Sequence, residues 1–469
     1  MSLVRRKAPL LQIGQMSAAF AASDVLRGAF RLASSLVIAR GLGRDGFGRW
    51  TFYAAAAAAL TAAFDLGFGV LLTRDAARDD GEIGSLVTAA LTARLALFLP
   101  VGLCLYAVAG APGVGLGAAS AEATDLAVCL AAAGLAYGCL AAIHRASPRR
   151  LVAILAIETI GTGAQCAGAV LIVRRGGAVA DLLRLATGVQ VAQLVAAFVL
   201  WRLVAPRDRL ARPSGASAWA HLRRAFPFAL AGIVANARAR MAPLLLGSLA
   251  SAGEVASFGV AARLESTARR LPYATFGAAL PVFAREAGGG EPDALRARFD
   301  PVLRWFAIAA AVGLIAGAAP IVRATYGAGF AAATWPLVWA AVGLVPSLVN
   351  HGRQVYLNAT GHEHASLRWS AVAWTVQAVA GVTLIPRFGA VGAMCALLLG
   401  EVAIWLPLRA ADEAAIRATS RRADRERGAP EPSGATVMTM TPAAATPATP
   451  RSSFRAGVAA DLETTSRDV

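Results

Sequence analysis

The sequence predicts an all-α polytopic membrane protein with about twelve transmembrane helices in two pseudo-symmetric six-helix lobes and both termini cytoplasmic. Three observations predict it. Of 469 residues, 57% are apolar and only 16% charged, with a mean hydropathy of +0.57, against about 45–50% apolar and about 25% charged in soluble domains. Stretches of about 20 apolar residues, the length that spans a bilayer, recur along the chain. Basic residues gather in alternate connecting segments. This composition argues against a soluble globular enzyme, a disordered chain or a disulfide-stapled domain.

The spans, bounded by charge, Gly or Pro, fall near 17–39, 50–72, 84–109, 123–143, 151–173, 181–201, 226–249, 256–282, 302–325, 333–356, 365–385 and 390–409. Spans 1, 7 and 8 are amphipathic. The chain then divides into an N-terminal lobe (1–201), a basic cytoplasmic inter-lobe loop (202–225), a C-terminal lobe (226–410) and a tail (411–469). GLGRDGFGRWTFYAA after span 1 and GSLASAGEVASFGVAA after span 7 match weakly at an offset of 208, Gly48 and Trp50 against Ala256 and Phe258. A repeat at half-length is a common feature of secondary transporters. The tail, with Pro, Thr and few apolar residues, is expected to be disordered and cytoplasmic.

Orientation follows from the loop charges. The net charge is +17, from 45 basic and 28 acidic residues, and every basic residue except Lys7 is arginine. The tail carries eight of each sign, so the whole surplus lies in residues 1–410. With the N-terminus inside, cytoplasmic segments hold 19 basic residues and outer loops six, namely Arg40, Arg44, Arg49, Arg174, Arg175 and Arg387. That asymmetry places both termini in the cytoplasm. The start, MSLVRRKAPLLQIGQ, precedes no small-residue cleavage pattern, so the first span is expected to stay in the membrane.

Several motifs read as structure. Gly41-Leu42-Gly43-Arg44-Asp45-Gly46 fits GxGxxG, but it follows a membrane helix rather than a strand, which suits a tight turn between spans. His362-Glu363-His364 lacks a third ligand, and the sequon at Asn358 falls on the cytoplasmic side. Cys104, Cys129, Cys139, Cys166 and Cys395 sit in apolar stretches without metal or redox spacing. No cofactor, metal or nucleic-acid partner is expected.

Twelve arginines remain within or beside the spans. Arg184, Arg323, Arg353 and Arg409 are close enough to an end to snorkel. Eight lie deeper: Arg27 and Arg31, Arg94, Arg238 and Arg240, and Arg263, Arg269 and Arg270. An arginine near the bilayer centre costs at least about 2.5–3.5 kcal/mol, so these should meet carboxylates or line water. The spans hold only Asp24, Asp65, Glu158, Glu265 and Glu401, which leaves a positive surplus. Asp24, Arg27 and Arg31 share one helical face, and Glu265 and Arg269 are i, i+4. Helix anchoring and interhelical ion pairing account for such a set; so does a cationic cavity for a phosphate or pyrophosphate, which arginine forks grip bidentately. Prolines 100, 243, 272, 320 and 346 are expected to allow bends in the spans.

LVIARGLGRDGFGRWTFYAAAAAAL followed by FDLGFGVLLTRDAAR resembles the N-terminal signature of the polysaccharide biosynthesis, or oligosaccharide (O-antigen-type) flippase, family. FPFALAGIVANARARMAPLLLGS, ASFGVAARLESTARRLPYATFGAALPVFAR, ATYGAGFAAATWPLVWAA and LIPRFGAVGAMCALLLGE resemble its later helices. The resemblance covers about residues 10–410. It implies the fold of the exporter superfamily that also holds multidrug antiporters and lipid II flippases. It implies alternating-access translocation of a polyprenyl-diphosphate-linked oligosaccharide across a bacterial inner membrane for surface polysaccharide synthesis. A polysaccharide polymerase and glycosyltransferases are then candidate partners besides the bilayer. Candidate diphosphate-binding residues are Arg27, Arg31, Arg238, Arg240, Arg263 and Arg270, and candidates for ion coupling are Asp24 and Asp65. The alternative is a cation-coupled multidrug or metabolite exporter of the same fold. A membrane glycosyltransferase, polymerase or ligase is disfavoured by the short outer loops.

Overall fold

The structure, a computed structural model, describes residues 2–78, 83–109, 121–204, 215, 219–223, 225, 240–286, 292–359 and 362–428. The helices are α1 (Ser2–Ala63), α2 (Phe68–Arg78), α3 (Ile83–Ala109), α4 (Ala121–Ala146), α5 (Pro148–Arg174) and α6 (Val179–Val204). They continue as α7 (240–249), α8 (Ala252–Glu286), α9 (Pro292–Tyr326), a 3-10 turn (Ala328–Ala333), α10 (Thr334–Ala359) and α11 (Glu363–Gly428). No strand occurs among the described residues. The all-helical polytopic fold expected from the sequence is the one observed.

Spans 3 to 6 and 8 to 10 each fall on one helix, which mostly extends a few residues beyond the span and, in α9, begins ten residues before it, whereas span 1 and most of span 2 lie in α1 and spans 11 and 12 share α11. These two helices bend where a glycine leaves helical geometry, Gly43 at φ 69° and Gly389 at φ 53°. Only glycine reaches such angles without Cβ strain. The span prolines Pro100, Pro320 and Pro346 lie inside helices without a break in helical geometry, so the sharp breaks fall at glycine rather than at these prolines. The GxGxxG segment is therefore a helix bend. Span 2 is not continuous either: the chain turns at Leu66 and Gly67, both left-handed. Asp65 Oδ2 accepts the Gly69 N–H at 3.2 Å, which satisfies an orphan amide in the first turn of α2.

Six helices among the described residues are long and apolar enough to cross a membrane. Helices α1 and α8, which carry deep arginines, are not among them. An apolar belt faces outward, with Val152, Ile160 and Leu171 on α5, Val191 and Val195 on α6, and Val379 and Val382 on α11 all exposed. Lipid satisfies such a surface and water does not. Residues 1–421 form one compact unit and 422–469 a second, of which 422–428 are described, as helix. The expected tail boundary at 411 falls within α11. Ala415 is buried beside Leu408 and Tyr356, so apolar packing carries the helix past it.

Helices α2 to α6 pack among themselves and α8 to α10 among themselves, while α1 touches both groups. Their joint is at the end of the bundle that carries the Gly43 bend. Arg44 Nη2 pairs with Glu254 Oε1 at 3.3 Å, and Glu254 Oε2 accepts the Ala390 N–H at 2.7 Å. A Cβ on Gly389 would lie 2.3 Å from Glu254 Oε2, so this second bend needs glycine for space as well as for φ. Arg40 donates to the Thr325 and Ala324 carbonyls at the C-terminus of α9, at 2.9 and 2.7 Å, a favourable place for a cation. Phe47, Tyr326 and Phe330 stack between the groups with centroids 5.7–6.0 Å apart.

Gly48 brings α1 against the start of α8 so closely that a Cβ there would sit 1.8 Å from the Ala252 carbonyl oxygen. Replacing Gly48 with Val should push the two apart at an overpacking cost of about 1–3 kcal/mol. A lower melting temperature of the purified protein is the expected result; an unchanged one would contradict this joint.

Candidate functional site

A polar cavity of about 720 Å³ lies among the N-terminal helices, within the range of about 300–1,000 Å³ typical of ligand pockets. Helical spacing builds its walls. α5 contributes Glu158, Gly161, Thr162 and Gln165, and α6 contributes Ala186, Val189, Gln190 and Gln193. Both sets are i, i+3, i+4, i+7, one face of a helix. α1 adds Arg27 and Arg31 before its bend and Trp50 after it, α4 adds Tyr137 and Arg145, and α7 adds Arg240. Gly41 packs on Val173 near the end of α5, which puts the α5–α6 turn at the Gly43 end of the bundle. The cavity thus extends from Trp50, near that end, to Arg145 in the last turn of α4 at the other.

Glu158 organises the charges. Arg27 Nη1 donates to its Oε2 and Arg145 Nη2 to its Oε1, while the Tyr137 hydroxyl donates to Oε1 at 3.3 Å. Glu158 is only 6% exposed, and a carboxylate so enclosed keeps its charge because three donors replace its water. Arg27 is also 3.7 Å from Asp24 and donates to the Ser23 carbonyl at 3.3 Å. The i, i+3 pairing expected for Asp24 and Arg27 is present, but Asp24 is not in the cavity wall.

Asp65 is in the wall, with both carboxylate oxygens engaged. Oδ1 accepts from Arg94 Nη2, and Oδ2 holds the α2 cap. Arg94 is 1% exposed; it also donates to the Leu135 carbonyl at 3.1 Å and lies over the Phe68 ring at 5.6 Å. Arg94 therefore fastens α3 to α4 and to the break after α1, and its charge is matched by Asp65.

Arg31 and Arg240 differ from these. Both line the cavity, and among the described residues neither has a hydrogen bond or ion pair. With Asp65 neutralised by Arg94, the wall presents four arginines against Glu158. Arg238 lies outside the described residues.

Arg263 and Arg270, expected at the same anion site, are not in the cavity wall. Arg263 stacks on Phe47 at 4.7 Å and donates to Ser35 Oγ at 3.0 Å, where Ser35 also bonds Tyr326 at 2.9 Å. The aromatic joint between the helix groups absorbs it. Arg270 donates to the Asp24 carbonyl at 3.2 Å and lies flat against Gly28, where a Cβ would be 1.4 Å from its Nη1. Arg269 pairs with Glu265 as its i, i+4 spacing predicts.

Sequence reasoning missed Arg145, counted there as a loop charge, and the amides Gln165, Gln190 and Gln193. The signal for both was available. Arg145 is thirteen residues before Glu158 across a two-helix turn, and the amides recur at helical spacing with Glu158 or Ala186.

The described residues thus form a helical bundle with apolar spans and a polar cavity among its N-terminal helices. No protein-family profile and no curated protein matches the chain; its likeness is to solved structures. A multidrug resistance MATE family transporter of the MOP superfamily, in an inward-facing conformation, superposes with TM-score 0.61 at 16% identity over 84% of this chain and 96% of that one. The lipid II flippase MurJ, inward closed, gives 0.59 at 15% over 85% and 91%. A MOP superfamily transporter from Pyrococcus furiosus, described by a binding pocket of reverse polarity, gives 0.55 at 16% over 87% and 96%. At these identities the likeness is one of fold: the chain has the fold of MOP superfamily transporters.

Two substitutions separate the roles of the cavity carboxylates. Asp65→Asn keeps an acceptor for Gly69 but leaves Arg94 buried without a countercharge, at a cost of about 1–3 kcal/mol; a lowered melting temperature is expected, and no change would contradict the Arg94 pairing. Glu158→Gln releases Arg27 and Arg145 to an added anion and should tighten binding of inorganic pyrophosphate about tenfold, the worth of one charge-assisted hydrogen bond. Calorimetric titration reads it, and equal or weaker binding would show that Glu158 does not compete for those arginines.

Proposed function

We propose that the protein is an alternating-access flippase that carries a polyprenyl-diphosphate-linked oligosaccharide across a bacterial inner membrane, with the diphosphate held by Arg27, Arg31, Arg145 and Arg240. The observation that carries this reading is the cavity's positive surplus, above all Arg31 and Arg240, which face it with no hydrogen bond or ion pair among the described residues. Guanidinium groups left so in a membrane bundle suit a site that receives an anion as it works. Phosphate oxygens fit their planar forks, and a lipid carrier supplies a diphosphate at the depth of the bilayer. The neighbouring fold of a lipid II flippase supports the same class of cargo. A cationic drug would require an acid free to meet it, and the cavity's two carboxylates are already engaged by arginine.

In this reading the joint at Gly43, Glu254 and Gly389 closes the outer side, and the cavity reaches toward the cytoplasm through Arg145. Loading then takes place from the inner leaflet. The sugar enters the wet cavity, the polyprenyl chain stays in lipid, and opening of the joint releases the head group outside. Arg238, two residues before Arg240 in the sequence, is a further candidate for diphosphate contact.

Arg31→Glu and Arg240→Glu, each made in a strain that depends on the exported polymer, should abolish export while protein level stays normal. The direct measurement is translocation of lipid-linked oligosaccharide in proteoliposomes. Normal translocation by both variants would overturn the cavity assignment, and drug efflux without glycolipid movement would favour the multidrug reading.

A further inference from the structure

Beyond the arginines, the cavity carries a second kind of chemistry that the charge surplus does not explain. Gln165 on α5 and Gln190 on α6 line it, and among the described residues neither amide has a hydrogen-bond partner. They stand at one level: Gln165 is nine residues before the end of α5 and Gln190 eleven residues into α6, equal to within about one helical turn. Gln193, a turn nearer the cavity mouth, donates Nε2 to the Ile157 carbonyl at 3.3 Å, which leaves its Oε1 as an acceptor. That position depends on Gly161, where a Cβ would lie 2.2 Å from the Gln193 Nε2. Trp50, about two helical turns beyond the Gly43 bend, lines the same deep half.

We infer that Gln165, Gln190 and Gln193 form a subsite for the sugar ring attached to the diphosphate. The inference rests on the diphosphate reading of the arginines and names what lies next to it. An amide offers both a donor and an acceptor, which matches the paired donor and acceptor character of vicinal hydroxyls. The amides add no charge, so the subsite serves a neutral group beside an anion. Depth supports the order. Gln165 is seven residues beyond Glu158 on the same face of α5, about 10 Å along the helix axis, which puts Gln165 and Gln190 one sugar ring deeper than the Glu158 level where Arg27 and Arg145 meet, while Gln193, bonded to Ile157, stays near that level. The arginines nearer the mouth thus hold the diphosphate at the side from which the lipid arrives, and the sugar leads into the cavity. A polar wall of this kind also accounts for glutamines in spans where leucine would insert at lower cost.

The test uses the purified full-length protein in detergent and two soluble probes of equal charge, methyl diphosphate and glucosyl 1-diphosphate, titrated calorimetrically. Glucosyl 1-diphosphate is expected to bind about tenfold more tightly than methyl diphosphate. The double substitution Gln165→Leu with Gln190→Leu should bring the two affinities together by weakening the sugar probe alone, with methyl diphosphate binding and melting temperature unchanged. Gln165→Asn with Gln190→Asn should restore part of the difference. Equal affinities in the unaltered protein, or a double variant that keeps the tenfold preference, would overturn the sugar subsite and leave the diphosphate reading intact. Failure of the unaltered protein to bind either probe would instead overturn the diphosphate reading.

Discussion

The cost of placing a guanidinium in an apolar bundle is the constraint on which the rest of this structure depends. Arginine stays charged at any accessible pH, so each one inside the helices must find a carboxylate, a carbonyl, an aromatic face or water. The protein uses all four. Arg94 takes Asp65, Arg27 and Arg145 share Glu158, and Arg263 takes Ser35 and the face of Phe47. Each of these solutions crosses between helices, so the charges fasten the bundle that buries them. Arg31 and Arg240 find none of the first three, and the space they face is the cavity. Its position follows from the pairing elsewhere.

The same economy governs the joint between the helix groups. Beside the buried apolar cluster that the groups share, its central polar residue is Glu254, which meets Arg44 just after one glycine bend and the Ala390 amide just after the other. Two long helices, α1 and α11, are thereby tied at their points of least helical stiffness to the first turn of α8. Partly exposed ion pairs and single hydrogen bonds are individually weak, so these polar contacts add register rather than strength to the apolar cluster, of which Phe47, Tyr326 and Phe330 are part.

Much of the fold was legible in the sequence, because composition and span length report directly on the solvent that surrounds the helices. The bends were less so: Gly43 and Gly389 look like loop glycines until the helices on both sides are seen to be continuous. For the site, spacing placed Arg27 and Arg31 on one face and the structure puts both in the cavity. Spacing fixes a residue's face on its own helix but not which neighbour that face meets. For that reason Arg263 and Arg270, equally deep by span, are absorbed by Phe47 and Gly28 instead of reaching the cavity. Arg145 was hidden because a residue in the last turn of a helix counts as a loop charge in any topology sum. The amides were hidden because a search for buried charge passes over neutral groups.

What distinguishes the cavity chemically is that its one enclosed acid is held by cationic donors. Glu158 accepts from two arginines and a tyrosine, the donors that a phosphate oxygen would seek, while Arg31 and Arg240 line the same wall without a hydrogen bond or ion pair among the described residues. A cavity with all its arginines neutralised would hold no attraction for a diphosphate, and one with none neutralised would fold poorly and release its cargo slowly. A single carboxylate shared by two arginines lies between these limits. It lets the empty cavity exist in a membrane at tolerable cost, and it gives way to a stronger acceptor without any charge having to leave the protein. Under the proposed function, diphosphate binding would exchange one set of hydrogen bonds for another, and that exchange would limit its affinity.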